Sequence, residues 1–182
     1  MMNAIGIIES SSIAKGYEIC DAMAKASMVH ILEAQPICPG KFMIIVGGMV
    51  ADIKHSVETG KEMAGNNLVD SLVIPNIHPQ VFEAINATST VDQIGAIGII
   101  ETYSIAAGVS AADIAVKAAD VDLLEVRLSR GMGGKSFVLM TGEVADVRSA
   151  VSAACEIVEQ DGLLAACTVI PSPHEDLKKY LF

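Results

Sequence analysis

The chain has 182 residues and a formal charge of -10, with 12 Lys and Arg scattered singly among 22 Asp and Glu. That excludes the basic patch a nucleic-acid or anionic-membrane partner needs, and no apolar run reaches the ~18 to 20 residues of a membrane span. Hydrophobic residues make up 52%, aromatics only 4%, and Trp is absent. Ala, Ile and Val therefore fill thin, closely packed elements, and a mean hydropathy of +0.49 points to apolar surface buried between subunits. Four cysteines at irregular positions make no secreted disulfide framework. The start lacks a basic region, and its apolar stretch breaks at Glu9, so no signal peptide is expected and the setting is a reducing cytosol.

In chain order, residues 4–9 are a short β-branched run and read as a strand. Residues 11–27 open on a capping hydroxyl and place Ile13, Gly16, Cys20 and Met23 at helical spacing. Residues 29–35 and 42–46 read as strands on either side of a turn at Cys38-Pro39-Gly40. From Val50 to about residue 64 the pattern is helical, with Asp52 in the first turn. A strand over 68–74 ends at Pro75, and a short helix follows Pro79. The order β-α-β-β-α-β-α describes an α+β sandwich with helices on one face of a mainly antiparallel sheet.

The same order then begins again. Ala4-Ile5-Gly6-Ile7-Ile8-Glu9 recurs as Ala96-Ile97-Gly98-Ile99-Ile100-Glu101, and Ser12-Ile13-Ala14 as Ser104-Ile105-Ala106. Asp21 with Lys25-Ala26 matches Asp113 with Lys117-Ala118, and Val50-Ala51-Asp52 matches Val144-Ala145-Asp146. Ile74-Pro75 with His78 matches Ile170-Pro171 with His174. The chain is thus two copies of one small domain, 1–91 and 92–182, joined by a polar linker at 86–93.

Chemistry concentrates at Ile37-Cys38-Pro39-Gly40-Lys41, where one thiol rides the tip of a tight connection. A free cysteine is often a buried, inert residue. The other copy has Ala112, Lys61 and Ser71 where Cys20, Cys155 and Cys167 stand, so those three read as ordinary positions. One thiol cannot hold a metal cluster, but copies gathered by symmetry can, with Lys41 offsetting part of the thiolate charge. Arg130-Gly131-Met132-Gly133-Gly134-Lys135-Ser136 has Ser129 where a phosphate loop needs glycine, and a strand follows it. His78 and His174 recur without a recurring nucleophile, so they read as helix-start or packing residues, and Glu9 and Glu101 as structural. No catalytic constellation emerges, and the chain reads as a non-enzyme.

The Ala-Ile-Gly-Ile-Ile-Glu opening, the Asp-x-x-x-Lys-Ala segment and the Ile-Pro-x-x-His ending, each present twice, resemble the bacterial microcompartment shell domain. The resemblance covers essentially the whole chain, and the tandem arrangement looks like the family's trimer-forming branch. It implies a ferredoxin-like sandwich in each copy and a homotrimer forming a flat pseudohexameric tile in a cytoplasmic microcompartment shell. Cys38 then maps to the axis as a ligand of a 4Fe-4S cluster, one cluster per trimer. Ile37, Pro39, Gly40, Gly131, Met132, Gly133 and Gly134 map to the central opening, and Lys25 and Lys117 to the tile edge. The implied partners are other shell proteins and an enclosed redox enzyme, with electron transfer across the shell as the role. Asn76 and Ser172 stand where many single-domain relatives carry a tile-joining arginine. Two other readings stay open: a metabolite-pore tile without a cluster, and a duplicated α+β regulator that binds a small molecule.

Overall fold

The computed structural model describes residues 3–91 and 93–181. Met1, Met2, Asp92 and Phe182, on which three of the limits read for the two copies fall, lie outside the described residues. Two compact units result, Met1–Ile77 and His78–Phe182.

The first unit runs β1 (Ala4–Ser10), α1 (Ile13–Ala26), β2 (Val29–Ile37), β3 (Lys41–Gly48), α2 (Val50–Ala64), a single 3₁₀ turn and β4 (Leu68–Pro75). Its sheet has the order β2-β3-β1-β4, with every pair antiparallel. The middle strand β1 is buried along its whole length, as its unbroken Ile-rich composition requires. A core of Ile8, Ile19, Met23, Phe42, Ile44 and Ile53 joins the sheet to both helices.

Close approach of helix and sheet explains one feature of the repeated opening. A Cβ on Gly6 would lie 2.5 Å from Val57 Cγ2, and one on Gly98 would lie 2.8 Å from Val151 Cγ2. Each glycine lets the second helix of its copy lie directly on the central strand. The repeated serines do local work too. Ser12 accepts the Lys15 N–H at 3.2 Å and Ser104 the Ala107 N–H at 3.0 Å, each satisfying a donor the first helical turn leaves over.

The second unit contains α3 (Pro79–Ile85), β5 (Ala96–Thr102), α4 (Ile105–Ala118), β6 (Val121–Leu128), β7 (Ser136–Gly142), α5 (Val144–Gln160), β8 (Leu164–Ile170) and α6 (Glu175–Lys178). Its sheet order, β6-β7-β5-β8, repeats the first. The repetition extends to irregularities: the register shifts between Ile31 and Glu33 in β2, and between Leu123 and Glu125 in β6.

The compact units divide at residue 77, whereas the repeat read from the sequence divides at 91. The segment in between includes α3, which ends the first copy in sequence but packs on β6 and α4 of the second unit. Val81 and Ala84 are buried there. The His78 N–H donates to Asp113 Oδ1 at 2.8 Å, and the Leu123 N–H donates to Gln80 Oε1 at 2.9 Å. The polar composition of residues 86–93 cannot anticipate this, because the partners of α3 lie more than thirty residues further along the chain.

Candidate functional site: the turn at Cys38

β2 ends at Ile37 and β3 begins at Lys41, so Cys38, Pro39 and Gly40 form the turn between two paired strands. The Gly40 N–H closes it onto the Ile37 carbonyl at 3.0 Å. Gly40 has φ +86°, where a side chain is strained and glycine is not. The Cys38–Pro39 peptide bond is cis. Cys38 is a free thiol, half-buried, with Pro39 and Gly40 exposed beside it. Ile37, which precedes the turn, has a buried side chain and is 6% exposed. The reason is alternation: within β2 it is a buried position next to exposed Pro36.

Among the described residues, no group of three or more His, Cys, Asp or Glu could hold a metal ion. An iron–sulfur cluster ordinarily takes four thiolates, so one chain alone does not fit such a group. A half-exposed thiol on a hairpin tip fits a different arrangement, in which each of several chains contributes one ligand. Lys41 has another engagement: its Nζ lies 3.4 Å from Oε2 of Glu9, whose side chain is fully buried. Its charge is therefore not a free complement to a thiolate at Cys38.

The corresponding connection in the second unit runs from Ser129 to Lys135. Ser129 Oγ donates to the Lys135 carbonyl at 2.7 Å, and the Lys135 N–H donates to the Met132 carbonyl at 3.2 Å. Arg130, Gly131 and Gly133 are exposed, Met132 is half-buried and Gly134 is buried. Ser136 then opens β7, so no helix N-terminus stands ready for a phosphate. Lys135 repeats the pairing of Lys41, with Nζ 3.1 Å from Glu101 Oε2, but this pair is largely exposed.

Lys25 and Lys117, matched to a tile edge, lie in the last turns of α1 and α4. Each pairs at 2.6 Å with an aspartate one turn earlier, Asp21 or Asp113. His78 and His174 are the N-cap residues of α3 and α6, as their placement beside the strand end suggested. Only His174 caps with its ring: Nδ1 accepts the Asp176 N–H at 3.1 Å.

One relation escaped the sequence reading. Cys155 on α5 and Cys167 on β8 are neighbours, and burial first, then Cys167 and Glu159, push the Cys155 thiol up to about 12. Their spacing in sequence carries no signal, because the contact arises only when α5 packs on β8. Burial likewise raises the Cys20 thiol, with Asp21 adding to it.

Comparison with known proteins bears on the whole chain. The BMC domain model matches residues 4–77 and again 96–173. The chain is 48% identical over 177 residues to the bacterial microcompartment shell protein PduT of Citrobacter freundii, covering 97% of this chain and 96% of that protein. It is 30% identical over 193 residues to the carboxysome assembly protein CcmO of Synechocystis, covering 98% of this chain and 64% of that protein. A crystal structure of a microcompartment protein from Desulfitobacterium hafniense superposes with a TM-score of 0.91 at 49% identity, covering 98% of this chain and 99% of that one.

Proposed function

We propose that this chain, which belongs to the bacterial microcompartment shell-protein family, assembles as a three-chain tile that carries an iron–sulfur cluster at its centre. Membership of the family makes the chain a structural protein of a microcompartment shell and not an enzyme. The finer reading rests on Cys38. It is a free, half-buried thiol on the tip of the β2–β3 turn, and the second copy has Arg130 at the equivalent place.

That asymmetry supports a count of three ligands. A ring of six identical domains would bring six cysteines to its axis, whereas three tandem chains bring three. Three thiolates leave one iron of a four-iron cluster to an outside ligand such as water or a small thiol. Crowded thiolates are costly unless a metal neutralises them, and a bound metal takes its cysteine ligands as thiolates. When bound, such a cluster supplies one-electron transfer, and its place in a shell would let electrons cross between an enclosed redox enzyme and the outside. Ile37, Pro39, Gly40, Gly131, Met132, Gly133 and Gly134 would border the opening, and Lys25 and Lys117 the tile edge, where other shell proteins meet it.

Anaerobic purification tests the reading directly. The protein is expected to be brown, with iron and sulfide in equal amounts per trimer, and Cys38→Ser to lose both while remaining a trimer. A colourless, iron-free anaerobic preparation that does not take up iron and sulfide leaves a plain pore tile instead.

A further inference from the structure

The second copy turns sharply from its second helix into its last strand. α5 stops at a hydrogen-bonded cap, in which the Gly162 N–H donates to the Glu159 carbonyl at 2.9 Å and the Leu163 N–H to the Val158 carbonyl at 3.0 Å. Gly162 takes φ +70°, which reverses the chain and lets β8 begin at Leu164. Only residues 161–163 separate helix from strand, and α5 packs back on β8.

That packing brings two thiols together. Cys167 stands opposite Ile100 in the β5–β8 register, as Ser71 stands opposite Ile8 in β1–β4. Directly opposed residues share a face of the sheet, and Ile8 belongs to the core between sheet and helices. Cys167 is therefore on the helix side of β8, where Cys155 near the end of α5 meets it. The two line one surface depression with Val151, Ser152, Glu156 and Glu159. The corresponding depression of the first unit is lined by Lys61 and Ser71 at these places, so the pair belongs to the second copy alone.

The two thiols differ in what can reach them. Both are free, but Cys167 is exposed and Cys155 is 8% exposed. Exchange with a disulfide needs a thiolate and access, so an incoming disulfide meets Cys167 first. Burial, then Cys167 and Glu159, keep Cys155 protonated. Once Cys167 is in a mixed disulfide its sulfur carries no charge, and one of those causes is gone. The loop that a bond between the two would close is short, and folding has already closed it, so the second sulfur is at hand.

We propose that Cys155 and Cys167 are a redox-modification site, which low-molecular-weight disulfides convert to a disulfide within the chain. The Cys167 thiolate attacks one sulfur of the disulfide RSSR. A bond forms from Cys167 Sγ to that sulfur, the RS–SR bond breaks, and RS⁻ leaves to take up a proton as RSH. Cys155 then gives its proton to water, and its thiolate attacks Cys167 Sγ. The Cys155–Cys167 bond forms, the mixed bond breaks, and the second RS⁻ leaves. Two protein thiols are oxidised by two electrons, and RSSR is reduced to two thiols. Excess thiol runs the same steps backwards, so the bond forms only when the disulfide pool rises. It fastens the end of α5 to the edge strand of its sheet and does not involve Cys38, which belongs to the first unit.

Oxidised glutathione added to the folded full chain tests it, read by non-reducing peptide mapping in the mass spectrometer. Cleavage after Glu156 or Glu159 puts the two cysteines on different peptides, so only a disulfide keeps them together. The wild type is expected to give the linked Cys155–Cys167 pair with loss of two hydrogens, and to return to free thiols in dithiothreitol. Cys155→Ser should stop after the first step, with glutathione on Cys167 about tenfold more abundant than in the wild type at equal exposure. Cys167→Ser should leave Cys155 unmodified. The wild-type map decides without either variant. Glutathione held stably on Cys167 while Cys155 stays free overturns the proposal. So does a Cys167 that does not react, or one that bonds to Cys38 or to a second chain instead of Cys155.

Discussion

Lys41 reaches Glu9 across the β1–β3 pair, Nζ to Oε2 3.4 Å, and Glu9 sits at the end of a strand with its side chain fully buried. The second copy keeps the residues of this pair and not its burial, for Lys135 and Glu101 are 46% and 40% exposed. Burial decides what such a pair is worth: removing one partner of a buried pair strands a charge, whereas exposed pairs contribute little.

Lys41→Met should therefore cost about 2 kcal/mol of stability, toward the low side for breaking a buried pair because Lys41 is itself partly exposed. Lys135→Met should cost less than ~1 kcal/mol. Urea unfolding of the two variants, compared by midpoint at constant slope, separates them. Equal losses would show that Glu9 is held by its other neighbours.

Thiol accessibility gives a second check. At pH near 8, mass-resolved alkylation should label exposed Cys167 and half-buried Cys38 first, and buried Cys20 and Cys155 slowly. Thiolate is the reactive form, and burial keeps Cys155 protonated to about 12. Rapid labelling of Cys155 in the folded state contradicts the packing of α5 on β8.

The same thiol makes a prediction about alkaline stability. Below the ordinary value of 9.0, Cys155 is neutral both folded and unfolded, and its contribution is fully present. Between 9.0 and about 12 the unfolded chain loses the proton and the folded chain keeps it, so stability falls as pH rises through that window. Cys155→Ala should remove this part of the decline, read as a smaller drop in melting temperature between pH 8 and pH 10.5.

The glycines of the repeated strand should be intolerant of any side chain. In Gly6→Ala the new methyl meets Val57 Cγ2 at 2.5 Å, and the variant should lose about 1–3 kcal/mol by overpacking. Calorimetry decides: an unchanged melting temperature would mean that α2 shifts freely on β1.

Asp113 should act as a clamp for α3. Asp113→Ala removes both the acceptor for the His78 N–H and the partner of Lys117, so α3 should exchange its amide hydrogens faster while β5 and α4 do not. Exchange mapped by mass spectrometry reads this, and unchanged protection over 79–85 would assign the docking of α3 to Val81 and Ala84 alone.

Element order was legible in the residues because periodicity and capping are local. The helix read over 50 to about 64 is α2 at Val50–Ala64, and the helix read from residue 11 is α1, capped one residue later by Ser12. Repetition made each reading available twice, which is why the two sheets hold no surprise in their order. The engagement of Lys41 has no signal in the sequence, because Glu9 and Lys41 are far apart along the chain and come together only through the β1–β3 pairing.

By itself, then, the sequence determined that two copies of one α+β domain lie in tandem and that a single cysteine marks one of two equivalent turns. These are matters of pattern, and pattern survives without coordinates. Only the tertiary structure decided which surfaces are satisfied. α3 and α6 follow equivalent strands, yet one finds its partners on β6 and α4 of its own chain, and the other presents Leu177 and Tyr180 to solvent. Burial depends on which neighbours the fold brings near, and no residue carries that information alone.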